Sequence, residues 1–276
     1  MTALSFVVPP GACDCHIHAY DAAYPLASTA TFKPPHAPIS DYVQVMAALN
    51  LRRVVVVQPT GYGFDNRCTL AAVASLRGRA RGVVMVPVQV TEFELEALHD
   101  AGVRGVRMMM FPGGLLGWDA VAPMADRVRH RGWHLNVQFN GCDFVQRLPL
   151  LQSLNVPLAI DHTGKFLVPP SGTDDPAFQA LCRLLDTGRV WVKLSAPYET
   201  SRQGAPQYDD VGCLARYLAT HYPERCLWAS NWPHPNQDPL PSNAALLNLL
   251  TTWVARPADL QRILVDNPAQ LYGFDV

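Results

Sequence analysis

Arg53-Val54-Val55-Val56-Val57 is apolar and β-branched after its first residue, and it stops at Gln58-Pro59-Thr60-Gly61. Branching at Cβ favours extended backbone, and a run apolar on both faces suits a strand covered on both sides, as in a parallel sheet. Pro59 and Gly61 then force a loop. The same unit recurs in both directions. Before it stands Cys13 to His18; after it come Gly82–Pro87, Val103–Met109, His134–Phe139, Val156–Ile160, Arg189–Leu194 and Cys226–Ser230.

Helical patterns fill the gaps. One begins at Ser40-Asp41, with Val43, Met46, Ala47 and Leu49 on its apolar face. Others span Asn66–Leu76, Glu92–Ala101 (stopped by Gly102), Asp119–Arg131, Asp143–Leu154, Asp175–Leu185 and Val211–Thr220, with two more near Asn243–Val254 and Pro257–Val265. Pro149 is expected to break the Asp143–Leu154 helix. Eight strands, each followed by helix, with a period of roughly 30 residues, predict a (β/α)8 TIM barrel occupying residues 1–276 as one domain. A doubly wound open sheet fits less well, because no Gly-x-Gly-x-x-Gly turn follows the first strand.

Composition agrees with one large core. The chain of 276 residues is 49% hydrophobic and 16% charged. Its formal net charge of −1 leaves no bulk attraction for nucleic acid or an acidic membrane. The apolar runs fall short of the ~20 residues a membrane span needs, and no signal peptide is evident, so a cytoplasmic protein is expected. The seven cysteines include no Cys-x-x-Cys pair and read as buried free thiols.

In a parallel barrel the active site forms where strands end and βα loops begin. Those positions hold His16 and His18 on the first strand, Gln58 and Thr60 on the second, and Arg107 on the fourth. The fifth offers Gln138 and Asn140, and the sixth His162 with Lys165 following. The seventh offers Ser195, with Tyr198 and Arg202 in its loop, and the eighth Asn231, then His234. Side chains two apart on a strand share a face, so His16 and His18 can reach one target. A guanidinium inside a strand must be paired or bind an anion, which singles out Arg107. His134 lies on the opposite rim. The stretch Ala19 to Ile39 is too long for a connector and is expected to be functional or disordered.

The chain resembles the amidohydrolase superfamily, and within it the group that includes 2-pyrone-4,6-dicarboxylate lactonase and related lactone hydrolases. The resemblance rests on Asp14-Cys15-His16-Ile17-His18, Gly105-Val106-Arg107, Ile160-Asp161-His162, Lys193 to Tyr198, Trp232-Pro233-His234-Pro235 and Asp266 to Phe274. It implies a barrel that hydrolyses a lactone or a similar ester or amide. In metal-using relatives the first-strand histidines, a later histidine and an eighth-strand aspartate hold divalent ions, and the aspartate takes a proton from water. Here the fourth strand has no lysine to bridge two metals, the fifth ends in Gln138, and the eighth ends in Asn231 instead of aspartate. An amide has no useful basicity.

The expectation is therefore a cytoplasmic lactonase of a small carboxylated substrate, with a lactone isomerase, a metal-dependent decarboxylase and a non-catalytic carboxylate-binding protein as alternatives. Its catalytic residues are His16, His18, His162 and Asn231. Arg107, Gln58, Gln138, Lys165, Ser195, Tyr198, Arg202 and His234 bind substrate. No cofactor is assigned; a single divalent metal such as zinc, if present, would sit on His16, His18 and His162.

Overall fold

The structure, a computed structural model, describes residues 3–275. Eight parallel strands form one sheet in sequential order: β1 Cys13–Ile17, β2 Arg53–Val57, β3 Ala80–Val84, β4 Val103–Met109, β5 His134–Gln138, β6 Leu158–Ile160, β7 Val190–Ser195 and β8 Cys226–Ala229. The sheet curls on itself. Asn231 N–H donates to the His16 carbonyl at 3.0 Å and His18 N–H to the Trp232 carbonyl at 2.8 Å, so the chain beyond β8 joins β1. The Asp14 carboxylate sits in that seam and accepts from Ser230 N–H, His16 N–H and the Tyr42 hydroxyl. The fold is thus the (β/α)8 barrel the alternation predicts.

Helices follow the strands: α1 Ile39–Ala48, α2 Arg67–Ser75, α3 Glu92–Asp100, α4 Val121–Val128, α5 Phe144–Ser153, α6 Pro176–Leu185 and α7 Asp209–His221. Thr91 and Glu94 form a reciprocal capping box at the start of α3, tying off backbone N–H groups that would otherwise lack partners. Pro149 does not break α5. The carbonyl it leaves unpaired belongs to Val145, a residue 52% exposed, so water can serve it.

Beyond β8 the Asn243–Val254 pattern divides into α8 Asn243–Asn248 and α9 Leu250–Trp253. The last helical stretch runs further than Val265: α10 Pro257–Gln261 passes through a wide π-helical turn at Arg262–Asp266 into α11 Asn267–Tyr272.

Two apolar layers result. The larger one lies between strands and helices. The smaller takes alternate strand residues, Cys13, Cys15, Val55, Val57, Leu227 and Ala229, together with Tyr272 and Phe274. Alternation places these inside the barrel, with the C-terminal segment closing its lower end. Tyr272 stands edge-on against His134. Gly105 opposite is required, because a Cβ there would lie 2.4 Å from the His134 ring. The upper end stays polar, and that is where the strand-end residues gather.

Candidate active site

A cavity of about 330 Å³ opens at the C-terminal ends of the strands. Seven of the residues expected at the site line it: His18, Arg107, Gln138, His162, Lys165, Tyr198 and Asn231. The long first loop supplies Tyr20 and Phe32, so it is ordered as a wall of the site, held by reciprocal backbone hydrogen bonds between Tyr20 and Ala37. Glu199, which the sequence did not single out, is the one carboxylate among the lining residues.

Arg107 is 5% exposed. Its Nη1 donates to the Gln58 carbonyl at 2.8 Å and its Nη2 to Gln138 Oε1 at 2.9 Å. Both acceptors are neutral, and Nε–H has no partner among the described residues. Burial pulls the guanidinium below its ordinary pKa, yet arginine remains charged. A buried cation with no carboxylate in contact, facing a cavity, calls for an anionic ligand.

Beneath the cavity lies a polar layer from β5, β6 and β7. Lys193 is fully buried, and its ammonium reaches three acceptors: Asp161 Oδ1 at 3.0 Å, His16 Nδ1 at 3.1 Å and Asn136 Oδ1. An ammonium has three N–H donors, so this set uses all of them. Asn136 Nδ2 in turn donates to Asp161 Oδ2 at 2.7 Å. Burial alone would raise the Asp161 carboxyl, but Lys193 and His16 outweigh it and hold it well below the ordinary range.

The Val57 carbonyl can only accept, so His18 Nδ1 donates to it at 2.8 Å. A neutral His18 then offers Nε2 as an acceptor to His16 Nε2 at 3.3 Å. His16 Nδ1 lies between the Lys193 ammonium at 3.1 Å and Asp161 Oδ1 at 3.2 Å. Burial pushes His18 down to about 3, helped by Arg107, and pushes His16 well below its ordinary value.

His162 stands at the end of β6 in a turn whose residues His162, Thr163, Gly164 and Lys165 all have positive φ. Left-handed backbone at non-glycine residues costs about 1–3 kcal/mol each and persists where the surroundings enforce it. The turn aims the His162 ring at the cavity while Nδ1 pairs with Ser195 Oγ at 2.9 Å. Burial keeps this ring neutral as well.

By distance, the described residues that could hold one divalent ion are His16, Asp161 and His162, whose ligand atoms lie within 4.8 Å of one another. Asp161 takes the place the sequence reading gave to His18, because His18 is turned toward His16 and Val57. The donor set does not fit an ion as it stands. Both Asp161 oxygens are occupied, and the Lys193 ammonium lies against the two ligands that would have to face the metal. A dication there would meet a buried monovalent cation at close range, with a single carboxylate to offset both.

On the opposite wall, Asn231 has left-handed backbone, with φ 62°. Its Nδ2 donates to Glu199 Oε1 at 2.9 Å and to the Tyr198 hydroxyl at 3.1 Å. Lys165 forms an ion pair with Glu199 Oε2. Burial lowers the Lys165 ammonium to about 8, with Arg107 adding to the shift.

Five expected residues lie off the cavity wall. His16 sits one layer behind His18. Gln58 is fully buried and committed to the Gly63 and Asp65 carbonyls and to Thr69, so it shapes the β2 loop. Ser195 supports His162. His234 bridges the Tyr198 hydroxyl and Asn243 and backs the Tyr198 wall. Arg202 is exposed, and its backbone N–H caps the Asp210 carboxylate. Gln58, Ser195, His234 and Arg202 thus stand behind or outside the residues that line the cavity. Lys193 was missed, although a lysine in an apolar strand carries the same signal as Arg107.

The amidohydrolase family profile matches residues 13–274. D-galactarolactone isomerase of Agrobacterium fabrum is 36% identical over 98% of this chain and 94% of its own. 4-Sulfomuconolactone hydrolase of Hydrogenophaga intermedia is 35% identical over 98% and 91%. 2-Pyrone-4,6-dicarboxylate hydrolase of Comamonas testosteroni is 34% identical over 97% and 92%.

Proposed function

The chain belongs to the amidohydrolase family, and we propose that on this scaffold it opens the ring ester of a small carboxylated lactone, with hydrolysis as the overall reaction. The observation that carries the proposal is Arg107, a buried guanidinium facing the cavity without a carboxylate partner. Relatives named for two lactone or pyrone hydrolases and one lactone isomerase supply the ester chemistry.

In this reading a substrate carboxylate docks on Arg107 and Lys165, which fix its orientation by charge and directed hydrogen bonds. Gln138 holds the guanidinium in place. His162 meets the lactone carbonyl and stabilises the developing oxyanion. His16 and His18, locked by Lys193 and Val57, form the rigid floor beneath it. Asn231 orients the attacking oxygen. The substrate-contact set is thus His18, Arg107, Gln138, His162, Lys165, Tyr198 and Asn231, and the location is the cytoplasm, which free cysteines suit. No described helix is long and apolar enough to cross a membrane.

A second reading, isomerisation, is favoured by Asn231. Where the eighth strand ends in an amide, no carboxylate at that position can activate water. A substrate hydroxyl could attack instead, giving a new ring. Turnover of carboxylated lactones in ¹⁸O-water separates the outcomes. Hydrolysis gives an open acid carrying one ¹⁸O; isomerisation gives a ring without label. No turnover across carboxylated five- and six-membered lactones would overturn the proposal.

A further inference from the structure

The eighth strand lacks a basic residue, yet attack on an ester carbonyl releases a proton that must be held. Glu199 is placed to hold it. It is the one carboxylate among the residues lining the cavity, and its side chain is 18% exposed. Oε1 accepts from the same Asn231 amide that occupies the strand-end position, at 2.9 Å. Oε2 meets Lys165. Asn231 thus presents a carboxylate from the neighbouring loop where it cannot supply one itself. Asp161, the other nearby acid, is enclosed by Lys193, Asn136 and His16 and does not line the cavity.

We propose that Glu199 is the proton-transfer residue of the lactone reaction, a role that rests on the ring-opening function proposed above. As the attacking oxygen forms its bond to the carbonyl carbon, its proton passes to the Glu199 carboxylate. As the tetrahedral intermediate collapses, the bond from carbon to ring oxygen breaks. The leaving alkoxide then takes that proton back from the Glu199 carboxylic acid, and the carboxylate is regenerated. The balance closes for both attackers. With water, one water is consumed and an open hydroxy acid results. With a substrate hydroxyl, nothing is consumed and the ester moves to another oxygen. Glu199 is not needed to bind the substrate carboxylate, which its own charge would repel; Arg107 and Lys165 do that.

The test uses the intact enzyme with a lactone it turns over. In Glu199→Gln the shape and the Asn231 contact persist while the basic oxygen is lost. The kcat is expected to fall by about 100-fold or more, the scale of general acid–base catalysis, with KM within about threefold. In Glu199→Ala, added formate is expected to restore turnover in proportion to its concentration, which a purely structural role would not allow. Glu199→Gln retaining kcat within about threefold overturns the inference and leaves the proposed function intact. Absence of formate rescue in folded Glu199→Ala also overturns it. A wild-type protein that turns over no carboxylated lactone overturns both.

Discussion

Arg107 and Lys193 are both basic residues buried in strands, and they differ in what neutralises them. Lys193 has Asp161; Arg107 has only amide and carbonyl oxygens. On the proposed function, that contrast separates a structural cation from a ligand-binding one. Arg107→Met is expected to lower kcat/KM on a carboxylated lactone by about 100-fold or more, since a desolvated charged hydrogen-bonded pair is worth roughly 2–5 kcal/mol. Thermal stability should hold or rise, because an unneutralised buried charge is removed. Steady-state kinetics and a melting curve check this; a large loss of stability with unchanged kcat/KM would mean Arg107 serves the fold. At this scale much of the site was legible. His18, Arg107 and Gln138 line the cavity at or just beyond the ends of their strands, as side-chain phase places them. His162, Lys165, Tyr198 and Asn231 reach it from the loops that follow. Glu199 was not legible, because a loop's side chains have no fixed period from which their direction can be read. Gln58 and Ser195 end strands as expected but spend their polar atoms on neighbouring backbone and on His162.

Three strands have to cooperate for the floor of the site to exist. β5 brings Asn136, Asp161 follows directly after β6, and β7 carries Lys193. Asn136 pairs with Ala159 and Ala159 with Trp191, so Asp161 and Lys193 stand one side-chain step further along the same face and reach back to Asn136. β1 adds His16 from across the barrel, beside a register shift between Asp14 and Ile17 that re-aims the side chains there. Lys193→Met should destabilise the protein by about 3–5 kcal/mol, since it leaves the buried Asp161 charge without its partner. Adding Asp161→Asn should recover part of that loss, and denaturant unfolding of the two single variants and the double one measures it. Strictly additive losses would contradict the pairing. Individual strands were readable from their β-branched runs, but this layer was not: sequence marks each strand's period and leaves the level at which neighbours align to packing. β3 shows the same limit, starting at Ala80 and stopping at Val84, whereas the apolar run extends to Pro87.

Closing the barrel over polar residues has a consequence for the whole molecule. Burial holds His18 and His134 at about 3, His234 at about 4, and His16 and His162 well below their ordinary value. The unfolded chain takes up protons at these histidines from about 6.5 downward, and the folded protein does not. Their stabilising effect is therefore complete above about 6.5 and is lost as the pH falls. Asp14 acts in the opposite sense: burial raises it to about 6, so between there and the ordinary carboxyl value the folded state binds the extra proton. Asp161, held low, adds to the acid loss below the ordinary carboxyl range. Histidines outnumber Asp14, so the melting temperature should be clearly lower at pH 5 than at pH 7.5; an equal or higher value at pH 5 would show that these rings are charged in the folded protein.

The barrel itself followed from alternation, and its chemistry follows from a fixed internal cation at the place where a divalent ion would need to bind. The most direct test is turnover of a carboxylated lactone by protein dialysed against a strong chelator, alongside its zinc content. Ring opening at an undiminished rate by zinc-free protein is the predicted result. Loss of activity on dialysis, restored by added zinc, would contradict it.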